Sequence, residues 1–256
     1  MDVTNRFVLD FARRHASGRP GAKILDFGCG AGEVVAAGRA AGLDMLGADA
    51  FYGGSEARLE AERAGRLGTS IYEIREGRLP FEDGFFDLVT NNQVLEHVAD
   101  LEAVLQEIHR VLKPGGTVLS IFPARDVFRE GHIGIPFAHW FPKASRLRFL
   151  YVLILRSAGL GKWKQQAPTR RQWARDKLQW LDSYTHYRPR GEILSAFRRR
   201  FDNELCEPDY IRYRLGDSRV LAPLARLLDL PGGPAVASAI FRKLAFLVIV
   251  SRKEAR

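Results

Sequence analysis

The stretch "ILDFGCGAGE" at residues 24–33 decides the fold of this chain. Its apolar first half predicts a buried strand, and the glycines after it precede a helical pattern that continues to Gly42. Glycine lets the backbone turn sharply and lets a ligand approach it closely. A helix that starts here presents unpaired N–H groups to the same place. The stretch therefore predicts a strand, a ligand-binding loop and a helix in succession.

The spacing of the glycines separates this loop from the common dinucleotide-binding loop. That loop, G-x-G-x-x-G, requires a glycine where this chain has Glu33. The spacing here is G-x-G-x-G, through Gly28, Gly30 and Gly32, with Asp26 ahead of it. This difference counts against a pyrophosphate ligand. An ammonium group suits Asp26, and a carboxylate or a ribose suits the N–H groups of the loop.

An acidic residue ends the second predicted strand, "DMLGADA" at residues 44–50. Asp49 follows the first glycine by about 20 residues, a position from which a carboxylate binds ribose hydroxyls. A lone aspartate at a strand end also occurs in turns. Because the glycine loop precedes it, we expect Asp49 to bind a ribose.

Predicted strands and helices alternate along much of the chain. Strands are predicted at 23–28, 44–50, 71–76, 85–92 and 117–123, within 203–215, and at 244–253. Helices are predicted in the first residues, at 32–42, at 55–68 with Ser55 as its N-cap, at 100–116 and at 190–201. This alternation predicts right-handed βαβ units and a mostly parallel sheet.

Three segments together resemble the class I S-adenosylmethionine-dependent methyltransferases, in the type 11 group that includes ubiquinone and sterol methyltransferases. They are the glycine loop, "GADAF" at 47–51, and 79–122, which contains "LPF", "LEHV" and "VLKPGG". The resemblance implies an α/β, Rossmann-like fold. Its seven-stranded sheet is mostly parallel with an antiparallel last strand, has helices on both faces, and carries an insertion after strand five.

The resemblance also implies an organisation and a cofactor site. One methyltransferase domain, 1–256, would contain a cofactor-binding half at 23–123, a substrate lid at 124–189 and C-terminal strands at 190–256 with a smaller insertion at 216–240. S-adenosylmethionine would bind through its methionine portion at the glycine loop, through its ribose at Asp49, through its adenine near the next loops, and above a floor after strand four. The implied residues are Asp26, Gly28, Gly30, Gly32, Asp49, Ala50, Phe51, Glu76, Gly77, Asn91, Asn92 and Gln93.

Histidines provide the candidate catalytic groups. His97, in "LEHV", belongs to a pair that we expect to shape the fold rather than to react. His132 and His139 lie in "EGHIGIPFAHWFP" at 130–142, where the predicted lid begins, and we name both as candidate catalytic residues. Packing is the alternative for each. We predict no metal site, because no cysteine or carboxylate set completes one around His132 and His139.

The predicted lid carries the features that bear on the acceptor. It holds all four tryptophans, several with basic neighbours, which suits an anionic or sugar-bearing acceptor or else anchors the lid. Residues 1–120 carry 13 basic and 18 acidic residues, and 121–256 carry 26 and 12. The run "RLRFLYVLILR" at 146–156 is either a buried helix or a segment that lies in an anionic membrane surface.

These features predict methyl transfer to oxygen of a small-molecule, glycan or lipid-linked acceptor. The alternatives are RNA methylation and a non-catalytic cofactor-binding module. "NNQV" at 91–94 replaces the Asn/Asp-Pro-Pro-Tyr/Phe motif of base-amine methylation, so nucleic acid is disfavoured. Two cysteines and the absence of a signal-peptide pattern predict a cytoplasmic protein, with peripheral contact at the inner membrane face.

Overall fold

The computed structural model describes residues 1–52 and 56–255. Within them, seven strands form one sheet in the order β3-β2-β1-β4-β5-β7-β6. The strands are β1 (Lys23–Phe27), β2 (Asp44–Asp49), β3 (Ile71–Glu73), β4 (Phe86–Asn92), β5 (Leu112–Phe122), β6 (Asp202–Leu205) and β7 (Leu247–Arg252). The pairs among β1 to β5 are parallel, and β7 is antiparallel to β5 and β6. The predicted fold class is confirmed.

Helices cover both faces of the sheet. They are α1 (Val3–Ala16), α2 (Glu33–Ala40), α3 (Ala57–Arg63), α4 (Leu101–Val111), α5 (Arg146–Ser157), α6 (Arg170–Tyr184), α7 (Arg190–Arg198), α8 (Glu207–Gly216) and α9 (Gly233–Leu244). Phe7 of α1 and Tyr210 of α8 pack with Ile24 on one face. Leu105 of α4 and Phe197 of α7 pack with Val89 on the other. Burial of both faces explains why the central strands are almost wholly apolar.

The direction of sheet growth changes at β1, which lies between β2 and β4. Asp26 of β1 is aligned with Gly47 of β2 on one side and with Thr90 of β4 on the other. In a parallel sheet, such a reversal opens a crevice at the carboxyl ends of the strands. The glycine loop after β1 and Asp49 at the end of β2 therefore lie beside one crevice.

Several predicted boundaries were wrong. The helix predicted at 100–116 ends at Val111, and β5 already begins at Leu112, since the residue before Pro114 is disfavoured in helical conformation. β3 is shorter than 71–76. Of the strand predicted within 203–215, only the first residues are extended, because Pro208 in the first turn and buried Tyr210 favour α8. The proposed N-cap Ser55 lies outside the described residues.

The insertion between β5 and α7 contains α5, α6 and a short 3-10 helix, Ala138–Trp140. It has a small apolar core of its own, in which Trp173 and Val152 are fully buried. Arg148, also buried, donates to the Ala138 carbonyl and forms an ion pair with Asp182. These contacts join α5, α6 and the 3-10 helix into one unit. Among the described residues, no helix has the length and apolar character needed to cross a bilayer.

Candidate active site

A cavity of about 600 Å³ opens at the carboxyl ends of β1, β2 and β4. Seven of the residues that the sequence proposed for cofactor binding line it: Gly28, Gly30, Asp49, Ala50, Glu76, Gly77 and Gln93. Its volume falls in the range of small-molecule and cofactor sites. The crevice expected from the strand order is therefore a cavity with the expected side chains in its wall.

The glycine loop has the backbone that only glycine adopts without strain. Gly28, Gly30 and Gly32 all have positive φ, at 76°, 54° and 79°. A Cβ at Gly28 would lie 2.3 Å from a methyl group of Val94, whereas at Gly30 the nearest atom would be 3.9 Å away. Gly28 is thus required by close packing, and Gly30 leaves open space in the cavity wall.

Asp49 connects the end of β2 to the glycine loop. Its Oδ2 atom accepts a hydrogen bond from the Gly30 N–H at 2.8 Å, and its Oδ1 atom accepts one from the Phe51 N–H at 2.7 Å. Each carboxylate oxygen can accept a second hydrogen bond. Asp49 therefore faces the cavity in a fixed orientation with acceptor capacity left for two hydroxyl groups.

Asp26 is a buried carboxyl group beneath the same loop, only 5% exposed. The Thr90 hydroxyl donates to its Oδ1 atom at 2.9 Å. Burial raises the pKa of Asp26 to about 7, and the charge of Asp49 acts in the same direction while the Thr90 hydrogen bond opposes it. A cation bound beside Asp26 would stabilise its ionised form.

Five proposed cofactor residues do not belong to the cavity wall that the described residues form: Asp26, Gly32, Phe51, Asn91 and Asn92. Gly32 instead is the N-cap of α2, where a Cβ would meet Ile71 at 2.3 Å. Asn91 is fully buried and donates to the Ser120 hydroxyl at 2.9 Å, and Asn92 donates to Asn5 of α1 at 2.9 Å. These amides hold the sheet and α1 together. Of the three residues expected beneath the cofactor after β4, Gln93 alone lines the cavity.

Tyr52, His97 and Tyr184 also line the cavity, although no sequence pattern indicated them as cofactor residues. The Tyr52 ring stacks on His97 at 5.8 Å between centroids and meets Tyr184 of α6 at 5.2 Å. The Nδ1 atom of His97 lies 2.6 Å from the Tyr184 carbonyl oxygen. Because a carbonyl only accepts, Nδ1 carries the proton and donates it. The C-terminal end of α6 thus forms part of the wall.

His132 is oriented by a buried carboxylate. Its Nδ1 atom donates to Glu130 Oε1 at 2.7 Å, and the same oxygen accepts from the Tyr187 hydroxyl at 2.7 Å. Burial alone would raise the pKa of Glu130, but His132 and the Ile133 N–H lower it to about 2. Glu130 is therefore ionised at neutral pH and fixes the proton of His132 on Nδ1.

The other ring nitrogen of His132 faces His97. The two Nε2 atoms lie 3.2 Å apart, and the Trp180 ring contacts both imidazoles. His132 also lines a second cavity, of about 350 Å³, together with Tyr52 and Trp180. The histidine pair therefore lies between the two cavities.

His139, the second candidate catalytic residue, lines neither of these cavities among the described residues. It is 7% exposed, and its Nε2 atom donates to the Arg125 carbonyl at 3.0 Å. Its ring lies 4.7 Å from that of Tyr187, and burial lowers its pKa. The structure thus gives His139 a packing role, and the proposed catalytic role does not fit this position.

Residues 25–120 match the family described as "Methyltransferase domain". These residues belong to the class I S-adenosylmethionine-dependent methyltransferases. A ubiquinone biosynthesis O-methyltransferase of Pectobacterium carotovorum is 35% identical over 118 residues, which cover 44% of this chain and 48% of that relative. One of Dinoroseobacter shibae is 34% identical over 149 residues, covering 56% and 60%. The chain thus spans about half the length of the curated relatives it matches.

The solved structures show the same fold for the larger part of the chain. An S-adenosylmethionine-dependent methyltransferase from Mesorhizobium loti has a TM-score of 0.53 and 21% identity, and the match covers 96% of this chain and 100% of that one. At this identity the likeness concerns the fold alone. It extends the fold assignment beyond the matched methyltransferase domain to the lid and the C-terminal strands.

The residues in and beneath the wall of the 600 Å³ cavity fit the cofactor of this family. S-adenosylmethionine has an ammonium group, a ribose and an adenine. Asp26 provides a buried negative charge that has no cation among the described residues, and Asp49 provides acceptor capacity for the ribose hydroxyls. Gly30 leaves the space that a backbone-bound ligand needs. When bound, the cofactor supplies a methyl group on a positively charged sulfur.

The small residue Cys29 completes the loop by packing rather than by chemistry. A Cβ on Gly47 would lie 2.6 Å from its sulfur, and burial raises the pKa of the Cys29 thiol. Both cysteines of the chain are free thiols. The Cys29 sulfur thus packs against β2 at Gly47.

Proposed function

We propose that the protein transfers a methyl group from S-adenosylmethionine to a hydroxyl oxygen of a small-molecule acceptor. One observation carries the proposal. His97 lines the cavity of about 600 Å³, here called the cofactor cavity, and His132 lines the second cavity of about 350 Å³, here called the lid cavity. The Nε2 atoms of the two residues lie 3.2 Å apart. An acceptor in the lid cavity thus meets two nitrogen lone pairs where its hydroxyl group approaches the cofactor.

The residues have distinct tasks in this reaction. Asp26 and Asp49 hold the cofactor, and the aromatic wall of Tyr52 and Tyr184 excludes water from it. The histidine pair draws the proton from the acceptor hydroxyl, and Glu130 orients His132 for this. S-adenosylmethionine held there would supply the methyl group, so that the acceptor oxygen would gain a bond to the methyl carbon as the carbon–sulfur bond breaks and sulfur keeps the electron pair. Alignment of the two reactants supplies much of the rate.

The lid cavity favours an aromatic or anionic acceptor. Lys162, Trp163, Lys177 and Trp180 line it with His132. The tryptophans of the lid divide into two roles, because Trp173 is fully buried as an anchor, whereas Trp163 is 63% exposed. A quinone-like or lipid-linked phenol, or a glycan with an acidic group, suits such a wall. The names of the ubiquinone O-methyltransferase relatives support a phenolic acceptor.

We also infer that the protein acts in the cytoplasm and contacts a membrane surface with α5. Leu147, Leu150 and Ile154 recur on one face of this helix and are 64%, 51% and 58% exposed. Arg146 and Arg156 flank them. Apolar side chains between basic residues suit the surface of an anionic bilayer. Contact there would bring the lid to a lipid-linked acceptor.

Methyl transfer is tested with tritiated S-adenosylmethionine in a fractionated cell extract. Label that partitions with small phenolic or lipid-linked hydroxyl compounds, and that is lost in Asp49→Ala, supports the proposal. Label in RNA would replace it with RNA methylation. Cofactor binding without label in any fraction would indicate a non-catalytic binding module.

A further inference from the structure

We infer that His97, His132 and Glu96 form a binding site for a divalent transition-metal ion. One ligand atom from each of the three lies within 4.8 Å of the others. The sequence predicted no metal site, because His132 and His139 had no carboxylate to complete one. The fold supplies the missing ligands from a 3-10 helix that follows β4, Leu95–His97, in which Glu96 and His97 are adjacent.

The N–H group of each imidazole is on Nδ1, so both Nε2 atoms are free to bind a cation. The Nδ1 atom of His97 donates to the Tyr184 carbonyl, and the Nδ1 atom of His132 donates to the Glu130 carboxylate. Each neutral ring then has an unprotonated Nε2 atom. Two lone pairs that face each other at 3.2 Å repel unless a positive charge lies between or beside them. A metal ion bound to both nitrogens provides that charge.

The separation of the two nitrogens matches a coordination geometry. Zinc binds histidine nitrogen at about 2.0–2.1 Å, so two such ligands of a tetrahedral ion lie about 3.3 Å apart. The 3.2 Å between the Nε2 atoms agrees with this value. Two imidazoles and one carboxylate are also a common ligand set for catalytic zinc and for non-haem iron.

Glu96 supplies the independent evidence for a ligand. It is 1% exposed, and neither of its carboxylate oxygens has a hydrogen-bond partner among the described residues. A buried carboxylate without a partner is costly, and a metal ion would compensate its charge.

The surroundings of the two histidines are those of metal ligands. Such histidines donate their second N–H to a carboxylate or a backbone carbonyl, which fixes the ring. Glu130 does this for His132, and the Tyr184 carbonyl does it for His97. Three protein ligands leave a fourth position, and the lid cavity, which His132 lines, opens beside it. The ion would occupy both Nε2 lone pairs, so the histidine pair would then act through the ion instead of as the base, and an acceptor hydroxyl at the fourth position would lose its proton to solvent.

This role in proton loss rests on the proposed methyltransferase function, but metal binding does not, and it is measured without a methyl acceptor. The protein is freed of metal with a chelator and titrated with Zn²⁺ by calorimetry, and Co²⁺ is added as a spectroscopic probe. We expect one ion per chain and a visible absorption band of tetrahedral Co²⁺. His132→Ala, His97→Ala and Glu96→Gln are expected to weaken Zn²⁺ binding at least tenfold.

Two further variants sharpen the test. Glu130→Gln keeps the three ligands but removes the carboxylate that orients His132, and it should weaken binding about 10–100-fold. His186→Ala is the matched control, because His186 lies in the lid near Glu96, whose carbonyl accepts its backbone N–H, but is outside the three-residue group. It should bind Zn²⁺ like the original protein. Zn²⁺ should raise the Tm of the original protein but not that of Glu96→Gln. The glutamine side chain is close in size and shape to the glutamate that it replaces.

The outcomes separate the metal site from the function. Absence of saturable Zn²⁺ and Co²⁺ binding, or equal affinity in all variants, overturns the metal site. If methyl transfer then still depends on His132, the pair acts as a proton-sharing base and the proposed function stands. Metal binding without methyl transfer to any acceptor supports the metal site and overturns the function.

Discussion

The Nε2 atom of His132 lies 3.2 Å from the Nε2 atom of His97, although the two residues are 35 positions apart. His97 follows β4 in the methyltransferase domain, and His132 comes from the lid insertion. The contact therefore exists only when the lid is packed on the domain. We expect proton transfer from the acceptor to require this packing, because it brings the two imidazoles together.

His132→Ala is expected to lower kcat about 100-fold or more while the Kd for S-adenosylmethionine changes less than about twofold. The reason is that His132 lines the lid cavity but not the cofactor cavity. Steady-state kinetics and calorimetry measure the two quantities. His139→Ala serves as the control, with little change in kcat per folded molecule. Equal losses of kcat and of cofactor affinity in His132→Ala would indicate a folding defect instead.

Asp49→Ala is expected to weaken cofactor binding about 10–100-fold, because hydrogen bonds to a charged group are worth about 1.5–3 kcal/mol. The substitution also removes the acceptor of the Gly30 and Phe51 N–H groups. Calorimetry with S-adenosylhomocysteine gives the affinity. Asp44→Ala, at the opposite end of the same strand, should bind normally. Unchanged affinity in Asp49→Ala would contradict the assigned ribose contact.

Cofactor affinity is expected to fall below neutral pH. Asp26 has a pKa of about 7 in the free protein, and only its ionised form attracts the ammonium group. Since the bound cation favours ionisation, binding releases a proton below this pKa, and affinity should be about tenfold weaker at about pH 6 than at about pH 8. Asp26→Asn should bind weakly at both pH values, with no comparable dependence. A flat profile in the original protein would argue against this role.

Gly28→Ala is expected to be more destabilising than Gly42→Ala. Both glycines have positive φ, at 76° and 82°, but only at Gly28 would a Cβ collide with another side chain, that of Val94. The collision should lower the free energy of unfolding by about 1–3 kcal/mol more. Urea denaturation of the two variants gives the difference. Equal stabilities would mean that Val94 moves aside without cost.

Replacing Leu147, Leu150 and Ile154 together by glutamate is expected to reduce binding to vesicles that contain anionic lipid at least about tenfold. The change removes the exposed apolar face of α5 and adds negative charge. Co-sedimentation with phosphatidylserine-containing vesicles measures the bound fraction. Leu59→Glu, at an exposed position on α3, is the control. Equal binding of the triple variant and the original protein would exclude α5 as the contact.

The fold could be predicted because its signals are local in the sequence. The apolar run before Gly28, the amphipathic pattern of α4 and the position of Asp49 each depend on a few neighbouring residues. Boundaries were less predictable. The start of β5 at Leu112 depends on pairing with Phe86 of β4, which a short window of sequence does not contain.

The site was predictable where it is made of loops next to strands, and not where it depends on the lid. His97 was predicted to shape the fold, and nothing near it in the sequence indicates His132 as a neighbour. Asn91 was placed at the cofactor, yet it follows the alternation of β4 into the sheet and reaches Ser120. The strand predicted at 85–92 already contained Asn91, so its alternation could have indicated a position within the sheet.

Tyr52 is part of the wall of both cavities. A ring shared in this way acts as a partition whose position depends on what lies on either side. The first ligand to bind sets that position for the second, so the affinities for cofactor and acceptor are linked in both directions. Bound acceptor should then change the Kd for S-adenosylmethionine, and bound S-adenosylmethionine should change the Kd for the acceptor by the same factor.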